Sequence, residues 1–261
     1  MDRIRFMNIM IDNITVQEAV DYAEQCIEND QHIYVVTPNV DHIVKLQQNT
    51  KFLAAYEKAG LVAVDGTPIM VVAKMYKTPL KEKITGPVLT EGIIEMAAKN
   101  GYSVFFLGAG EGVGEKAAMN LLAKYPGFHY VGYYSPPFGF EKDEEERKHI
   151  INTVNNSQAN IVVAGMGSPK TEIFLSEIFQ SLNCQVSLSV GAAIDFFAGT
   201  VKRCPKWINK IGMEWFYRFL KEPKRMFRRY FVDDIAFIGL IIKYRKRKRG
   251  NKIGYDCNKK S

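Results

Sequence analysis

The sequence has 261 residues, 47% of them hydrophobic, which suffices for a packed core and predicts a globular protein of one large or two small domains. Its net charge of +7 is divided, because residues 201–261 hold 19 basic and 5 acidic residues whereas residues 1–200 hold 16 and 23. This division favours an anionic partner for the tail over a chain that nucleic acid coats uniformly.

The N-terminal sequence and the cysteines predict a cytoplasmic protein. The stretch M-D-R-I-R-F-M-N-I-M lacks the apolar core and the cleavage site of a signal peptide. Cys26, Cys184, Cys204 and Cys257 form no C-x-x-C pair, which favours reduced thiols.

Five short runs rich in β-branched and aromatic residues predict buried strands, and helical patterns lie between most of them. The predicted strands are Ile33–Val36, Leu61–Val64, Val104–Leu107, Ile161–Ala164 and Val186–Val190, and two of the predicted helices are Gly112–Lys124 and Glu144–Asn155. The alternation predicts a Rossmann-like α/β fold, with a mainly parallel sheet flanked by helices.

Two sequence features predict where helices begin. Thr15 and Glu18 have the spacing of a capping box for an early helix, with Asp12 or Asn13 as other capping residues. Asp143 is predicted to cap the acidic helix that follows it.

The composition changes near residues 199–205, where we place a domain boundary. Residues 1–200 are predicted to form the catalytic domain, and residues 201–261 a basic, aromatic, helical appendage. Within this tail, residues 214–231 interleave seven aromatic rings with six Lys or Arg side chains. The longest late apolar run, Ile235–Ile242, has eight residues, where a spanning helix needs about 20. We therefore expect the tail to lie on an anionic membrane surface without crossing it.

Polar or Gly-rich segments follow all five predicted strands. Because ligands bind beyond the carboxyl ends of parallel strands, we expect one composite site at that edge of the sheet. The segments are residues 37–39, 65–68, 108–114, 165–170 and 191–195.

Asp65 is the candidate catalytic residue. It follows an apolar run and precedes Gly66, so it is predicted to lie at the end of a central strand, where a carboxylate can act as general base. The alternative is an Asp-Gly turn that caps the next helix. Thr37 and Asn39 have the same two interpretations, a helix N-cap or a ligand contact.

The glycines after Phe106 allow two interpretations. Gly108 and Gly110 either permit a tight turn or bring backbone N–H groups close to a nucleotide diphosphate. Val113 occupies the place of the third glycine in G-x-G-x-x-G, which disfavours a nicotinamide cofactor. Lys170 adds a positive charge after another strand. The sequence shows neither a Cys/His cluster nor a D-x-D pair, so we expect no metal and no cofactor.

An ordered set of motifs resembles the bacterial WecG/TagA/CpsF family of glycosyltransferases, from roughly residue 4 to residue 230. The motifs are T-P-N-V-D-H, V-D-G-T-P, E-K-I-T-G-P, F-F-L-G-A-G, G-M-G-S-P-K, G-A-A-I-D-F-F-A-G and E-W-F-Y-R-F-L-x-E-P-x-R. The resemblance implies transfer of a sugar, often N-acetylmannosamine, from a UDP-sugar donor to a polyprenyl-diphosphate-linked sugar acceptor at the cytoplasmic membrane face. It implies a role in wall teichoic acid or other surface polysaccharide synthesis, and self-association into a homo-oligomer.

The resemblance also assigns residues. Asp65 matches the family's proposed base, Thr37 and Asn39 match cleft residues, and Asp195 matches a residue near the nucleotide base. Lys83 stands where most members have Arg, which keeps the charge but loses the bidentate fork.

Two further residues depart from the family's pattern, and these departures bear on the identity of the donor sugar rather than on the reaction type. Thr171 replaces a glutamine, and Val88 replaces an acidic residue. In the tail, the resemblance implies that Arg218, Arg225 and Arg228 reach the diphosphates.

The mechanism we expect is a metal-independent displacement with inversion, in which Asp65 takes the acceptor proton while Lys83 and Lys170 stabilise departing UDP. The alternative enzyme class is a nucleotide-dependent oxidoreductase or a sugar epimerase. For the tail, the alternatives are a helix simply packed on the catalytic domain and a single-stranded RNA-binding segment.

Overall fold

A computed structural model describes residues 2–201 and 235–245 of the chain. The strands are β1 Arg3–Phe6, β2 Ile9–Asp12, β3 Ile33–Val36, β4 Leu61–Val62, β5 Ser103–Gly108, β6 His129–Tyr134, β7 Ile161–Gly165 and β8 Val186–Ser189. The α-helices are α1 Val16–Glu28, α2 Val40–Lys45, α3 Thr50–Lys58, α4 Thr67–Met75, α5 Gly86–Asn100, α6 Val113–Lys124, α7 Glu144–Asn156, α8 Lys170–Ile178, α9 Ala193–Ala198 and α10, residues 235–245.

Strands β3 to β8 form one sheet in which all neighbours are parallel, in the order β4-β3-β8-β7-β5-β6. All four residues of β3 are buried, as are all six of β5. Parallel strands covered on both faces have no solvent side, so most of their residues are apolar. The α/β fold predicted from the sequence is confirmed.

The sheet separates two hydrophobic cores, because successive side chains of a strand point to opposite faces. Tyr34 and Val36 pack with α2, α3, α4, α7, α8 and α10 on one face. Ile33 and Val35 pack with α1, α5, α6 and α9 on the other.

Strand β4 lies at the edge of the sheet, so the prediction of a central strand before Asp65 was wrong. Only Leu61 and Val62 pair with β3. The other side of β4 is covered by the antiparallel hairpin β1–β2, where Asp12 Oδ2 accepts a hydrogen bond of 2.8 Å from the N–H of Val62. A covered edge strand is as apolar as a central one, and for this reason the sequence could not tell them apart.

The sequence patterns also missed β6 and the hairpin β1–β2. Gly132 interrupts β6, and five of the six residues of this strand are only half-buried. Both helix starts predicted from capping residues are confirmed. Thr15 Oγ1 accepts from the N–H of Glu18, whose carboxylate accepts from the N–H of Thr15, and Asp143 caps α7.

Helix α10 packs on the body formed by residues 2–201. Phe237 is buried in the same core as α4, the Tyr76 hydroxyl donates to Ile241 O at 2.9 Å, and Tyr244 donates to Gln47 Oε1 at 3.0 Å. None of the described helices has both the length and the apolar composition needed to span a bilayer. The aromatic stretch 214–231 lies outside the described residues.

Candidate functional site

The parallel topology brings the five polar segments to one edge of the sheet, which we call the rim. Following the strand order, the segments along the rim are residues 65–68, 37–39, 191–195, 165–170 and 108–114. The predicted site residues that the structure describes therefore lie along one surface. Arg218, Arg225 and Arg228 fall outside the described residues.

Asp65 lies at the β4 end of the rim and is half-buried. Its N–H donates to Pro38 O at 2.9 Å, which ties this loop to the loop that carries Thr37 and Asn39. The N-cap position of α4 falls on Gly66, whose φ of 147° few other residues adopt. Asp65 is thus not the N-cap residue of α4, contrary to the alternative interpretation of the Asp-Gly pair.

The segment of Lys83 reaches the same end of the rim. The N–H of Ile84 donates to Val64 O at 2.8 Å, so this segment runs alongside the residue that precedes Asp65. A Cβ atom at Gly86 would lie 3.0 Å from Val190 O and 3.4 Å from Thr37 Oγ1. Glycine at this position therefore lets the start of α5 approach the ends of β3 and β8.

We call Thr37, Asn39, Asp65 and Lys83 the Asp65 cluster. Asn39 is the N-cap of α2, which was one of its two predicted interpretations. Its Oδ1 accepts a hydrogen bond from the N–H of His42 at 3.1 Å. Thr37 is buried and Lys83 is half-buried. A carboxylate, a hydroxyl, an amide and an ammonium group are thus assembled on adjoining segments.

A crevice opens farther along the rim, between the ends of β7 and β5. The chain leaves β5 towards β6 and leaves β7 towards β8, in opposite directions, so α6 and α8 lie on opposite faces of the sheet. Ligands bind at such switch points in open α/β sheets. The crevice has a volume of about 300 Å³, and its lining residues are Gly108, Ala109, Pro136, Pro137, Phe138, Phe140, Gly165, Met166 and Lys170.

Lys170 supplies the positive charge in this space, which we call the Lys170 crevice. Its Nζ lies 5.0 Å from the ring centre of Phe138, 5.3 Å from that of Phe140 and 3.7 Å from Glu141 Oε2. Lys170 also begins α8, where unpaired backbone N–H groups favour anions. The sequence patterns did not indicate the two phenylalanines, because these residues follow β6, a strand that the patterns did not predict.

The tight-turn interpretation accounts for Gly108. Its φ is +94°, and a Cβ atom there would lie 2.5 Å from Met166 Cγ and 2.7 Å from Gly165 O. Gly110 is held differently, since its carbonyl oxygen accepts from the Tyr133 hydroxyl at 2.7 Å. Burial raises the pKa of Tyr133, so this hydroxyl stays a donor.

Asp195 lies in the first turn of α9, which follows β8 and therefore lies between the Asp65 cluster and the Lys170 crevice along the rim. It is half-buried, and its backbone oxygen accepts from the Thr200 hydroxyl at 3.0 Å. Asp195 thus lies on the rim. It belongs to α9, which packs on the opposite face of the sheet from α8.

Comparison with known proteins identifies relatives that match most of the chain. An N-acetylglucosaminyldiphosphoundecaprenol N-acetyl-beta-D-mannosaminyltransferase of Staphylococcus aureus is 26% identical over 228 residues, 87% of each chain. A protein of the same name from Bacillus spizizenii is 27% identical over 199 residues, 76% of this chain and 75% of the relative. A family model described as "Glycosyl transferase WecG/TagA/CpsF family" matches residues 4–251. With its rim of converging loops and a family match over nearly its full length, the chain belongs to the WecG/TagA/CpsF family of glycosyltransferases.

Proposed function

We propose that the protein transfers N-acetylmannosamine from a UDP-sugar to N-acetylglucosamine carried on a polyprenyl diphosphate, with Asp65 as the general base. The names of the two relatives give this sugar and this acceptor for those proteins. The observation that carries the proposal is the position of Asp65, on one rim with Lys83 and with the Lys170 crevice.

The donor would lie along the rim. From β4 to β5 there are four strand spacings, roughly 19 Å at about 4.8 Å each. An elongated UDP-sugar can therefore contact several loops at once. In the proposed arrangement the transferred sugar meets Asp65, and the nucleotide diphosphate extends towards Lys170 and the first turn of α8.

The reaction is a direct displacement. The acceptor hydroxyl oxygen attacks the anomeric carbon, its proton passes to the Asp65 carboxylate, and the bond to the UDP oxygen breaks on the opposite face of the sugar, which inverts the configuration. Lys83 and Lys170 offset the negative charge that develops on UDP. In this mechanism basic side chains, rather than a metal ion, stabilise the leaving group.

The lipid part of the acceptor requires contact with the cytoplasmic membrane face, and α10 offers a surface for it. Ile235, Ile238 and Ile242 follow the i, i+3, i+7 spacing and are 63%, 58% and 54% exposed. Lys243 and Arg245 lie at the end of this stripe. An exposed apolar stripe beside basic residues is typical of a helix that lies in a membrane interface.

The direct test is a set of UDP-sugars assayed with a short-chain polyprenyl-diphosphate N-acetylglucosamine, measuring UDP release and product mass. We expect acceptor-dependent release from UDP-N-acetylmannosamine and product with inverted configuration. UDP release that does not depend on the acceptor, or activity only with a nicotinamide cofactor, would contradict the proposal.

A further inference from the structure

Phe138 is a fully exposed aromatic residue that lines the Lys170 crevice. Its exposure is 101%, the highest of any large apolar residue in the described part of the chain. A single exposed apolar side chain is ordinary on a protein surface, so the exposure alone indicates no function. The conformation of the loop that carries this ring is the informative feature.

Phe138 lies at the tip of a tight turn. The N–H of Phe140 donates to Pro137 O at 3.2 Å, which closes a β-turn with Phe138 and Gly139 at its centre. Gly139 has φ 91° and ψ 3°, values of the third residue of a type II turn, which glycine adopts without strain. Pro136 and Pro137, directly before the ring, each have a fixed φ. The sequence P-P-F-G therefore restricts the backbone on both sides of Phe138.

The loop is also anchored at both ends. The Ser135 hydroxyl donates to Ala109 O at 2.7 Å, which joins the start of the loop to another residue that lines the crevice. Phe140 is 3% exposed and packs edge-on against Phe174 of α8, with ring centres 5.0 Å apart. Phe140 thus holds the loop, while Phe138 is presented to solvent. Because its loop is already held in place, Phe138 loses less conformational entropy when a ligand covers it.

Lys170 lies beside the exposed ring. Its Nζ is 5.0 Å from the ring centre of Phe138, a distance at which an ammonium group and an aromatic ring attract each other. The ring is fully exposed all the same, so a planar ligand can cover it. An open aromatic ring next to a positive charge is the combination that binds a nucleobase together with its phosphates.

The position along the rim decides which part of the proposed donor reaches Phe138. The crevice lies between the ends of β7 and β5, three to four strand spacings from β4, which is roughly 14–19 Å at about 4.8 Å each. The acceptor and the transferred sugar must meet at Asp65, beyond β4. In a UDP-sugar the base is the group farthest from the sugar, so the base fits the crevice end of the rim.

We infer that Phe138 stacks on the uracil base of the donor, with the diphosphate beside it at Lys170. This inference rests on the proposed function and adds a binding residue to it. Stacking uses the π face that all bases share, so Phe138 contributes affinity for the nucleoside and does not select uracil. The contact is the same before and during the reaction, and it therefore sets the KM for the donor and leaves kcat unchanged.

The test measures binding of UDP and of inorganic pyrophosphate to the full chain by calorimetry. Phe138→Ala should weaken UDP binding about 10- to 100-fold and leave pyrophosphate binding unchanged, because only UDP carries a base. Phe138→Tyr keeps the ring and should bind UDP as the wild type does. The control Met119→Ala removes an exposed apolar side chain of α6 and should change neither affinity. All three variants should keep the wild-type Tm, since both residues are exposed.

A second measurement reports the stacking contact without an activity assay. In Phe138→Trp, addition of UDP should quench the fluorescence of the new indole, because a stacked base quenches it. The wild type, whose two tryptophans are Trp207 and Trp215, gives the background signal. In transfer assays, Phe138→Ala should raise the KM for the donor by the factor seen in calorimetry.

The outcomes separate this inference from the proposed function. Equal UDP affinity of Phe138→Ala and the wild type would overturn the inference and leave the function intact. Equal losses of UDP and pyrophosphate affinity would also overturn it, because the ring would then act on the diphosphate. UDP binding that depends on Phe138, without acceptor-dependent UDP release, would support the inference and contradict the function. A wild type that binds no UDP would contradict both.

Discussion

At Asp65 the backbone and the side chain have separate roles. The N–H of Asp65 ties its loop to Pro38, and the N-cap position of α4 belongs to Gly66 rather than to Asp65. A change confined to the carboxyl group should therefore affect chemistry more than folding.

We predict that Asp65→Asn lowers kcat by about 10²–10⁴-fold, the range for loss of a general base, with a nearly unchanged Tm. The control is Asp30→Asn, which removes one charge where Gln185 Nε2 donates to the carboxylate at 2.9 Å, at the other end of the sheet. Asn tolerates the positive φ of 52° at that position. Turnover of Asp65→Asn equal to that of the control would refute the assigned role.

Asn39 combines a cap with a proposed ligand contact, and two substitutions separate these roles. Asn39→Ala should cost about 1 kcal/mol of unfolding free energy, whereas Asn39→Asp should cost little, because Asp caps helices as well as Asn does. If the amide donates to the substrate, both variants lose activity while only Asn39→Ala loses stability. Full activity in Asn39→Asp would limit Asn39 to capping.

At the scale of elements, the loop between β5 and α6 shows why its glycines are not equivalent. Gly108 and Gly112 both have a positive φ, of 94° and 72°. Only Gly108 also approaches the neighbouring loop closely, since nothing lies within 4 Å of a Cβ atom built at Gly112. Alanine would therefore strain the backbone at both positions, but it would clash with a neighbouring loop only at Gly108.

We predict that Gly112→Ala lowers the unfolding free energy by about 1–2 kcal/mol, from backbone strain alone. Gly108→Ala should cost about 1–3 kcal/mol more, since the added Cβ atom would displace Met166 and Gly165. Denaturant titration measures both values, and UDP titration should show weaker binding only for Gly108→Ala. Equal values for the two variants would show that the crevice tolerates the displacement.

At the scale of the whole molecule, α10 packs the described part of the tail, residues 235–245, onto the body formed by residues 2–201. One side of this helix is anchored by Phe237 and Tyr244, and the other exposes three isoleucines. It packs at the carboxyl end of α4, a helix of nine residues that begins beside Asp65. At 1.5 Å per residue, the anchor lies roughly 14 Å along α4 from its start at the rim.

We predict that replacing Ile235, Ile238 and Ile242 together by Ser weakens binding to anionic lipid vesicles by about 100-fold. Partial insertion of each side chain is worth about 1 kcal/mol, and 1.4 kcal/mol is tenfold in affinity. Co-sedimentation of the full chain measures the effect. The control replaces Met119 and Leu122, two exposed apolar residues of α6, by Ser. An equal loss in the control would contradict a specific membrane surface.

The sequence alone determined the α/β class, the helix starts at Thr15 and Asp143, and the segments that form the rim. These features depend on the spacing of apolar residues, on capping chemistry and on the residues that follow each strand, all of which are local properties of the sequence. Only the tertiary structure decided that β4 lies at an edge under the hairpin β1–β2, since covered and central strands are equally apolar. It also decided that Phe138 and Phe140 join Lys170. Those contacts join residues far apart in the chain, and their burial depends on which helices pack together, which no local pattern encodes.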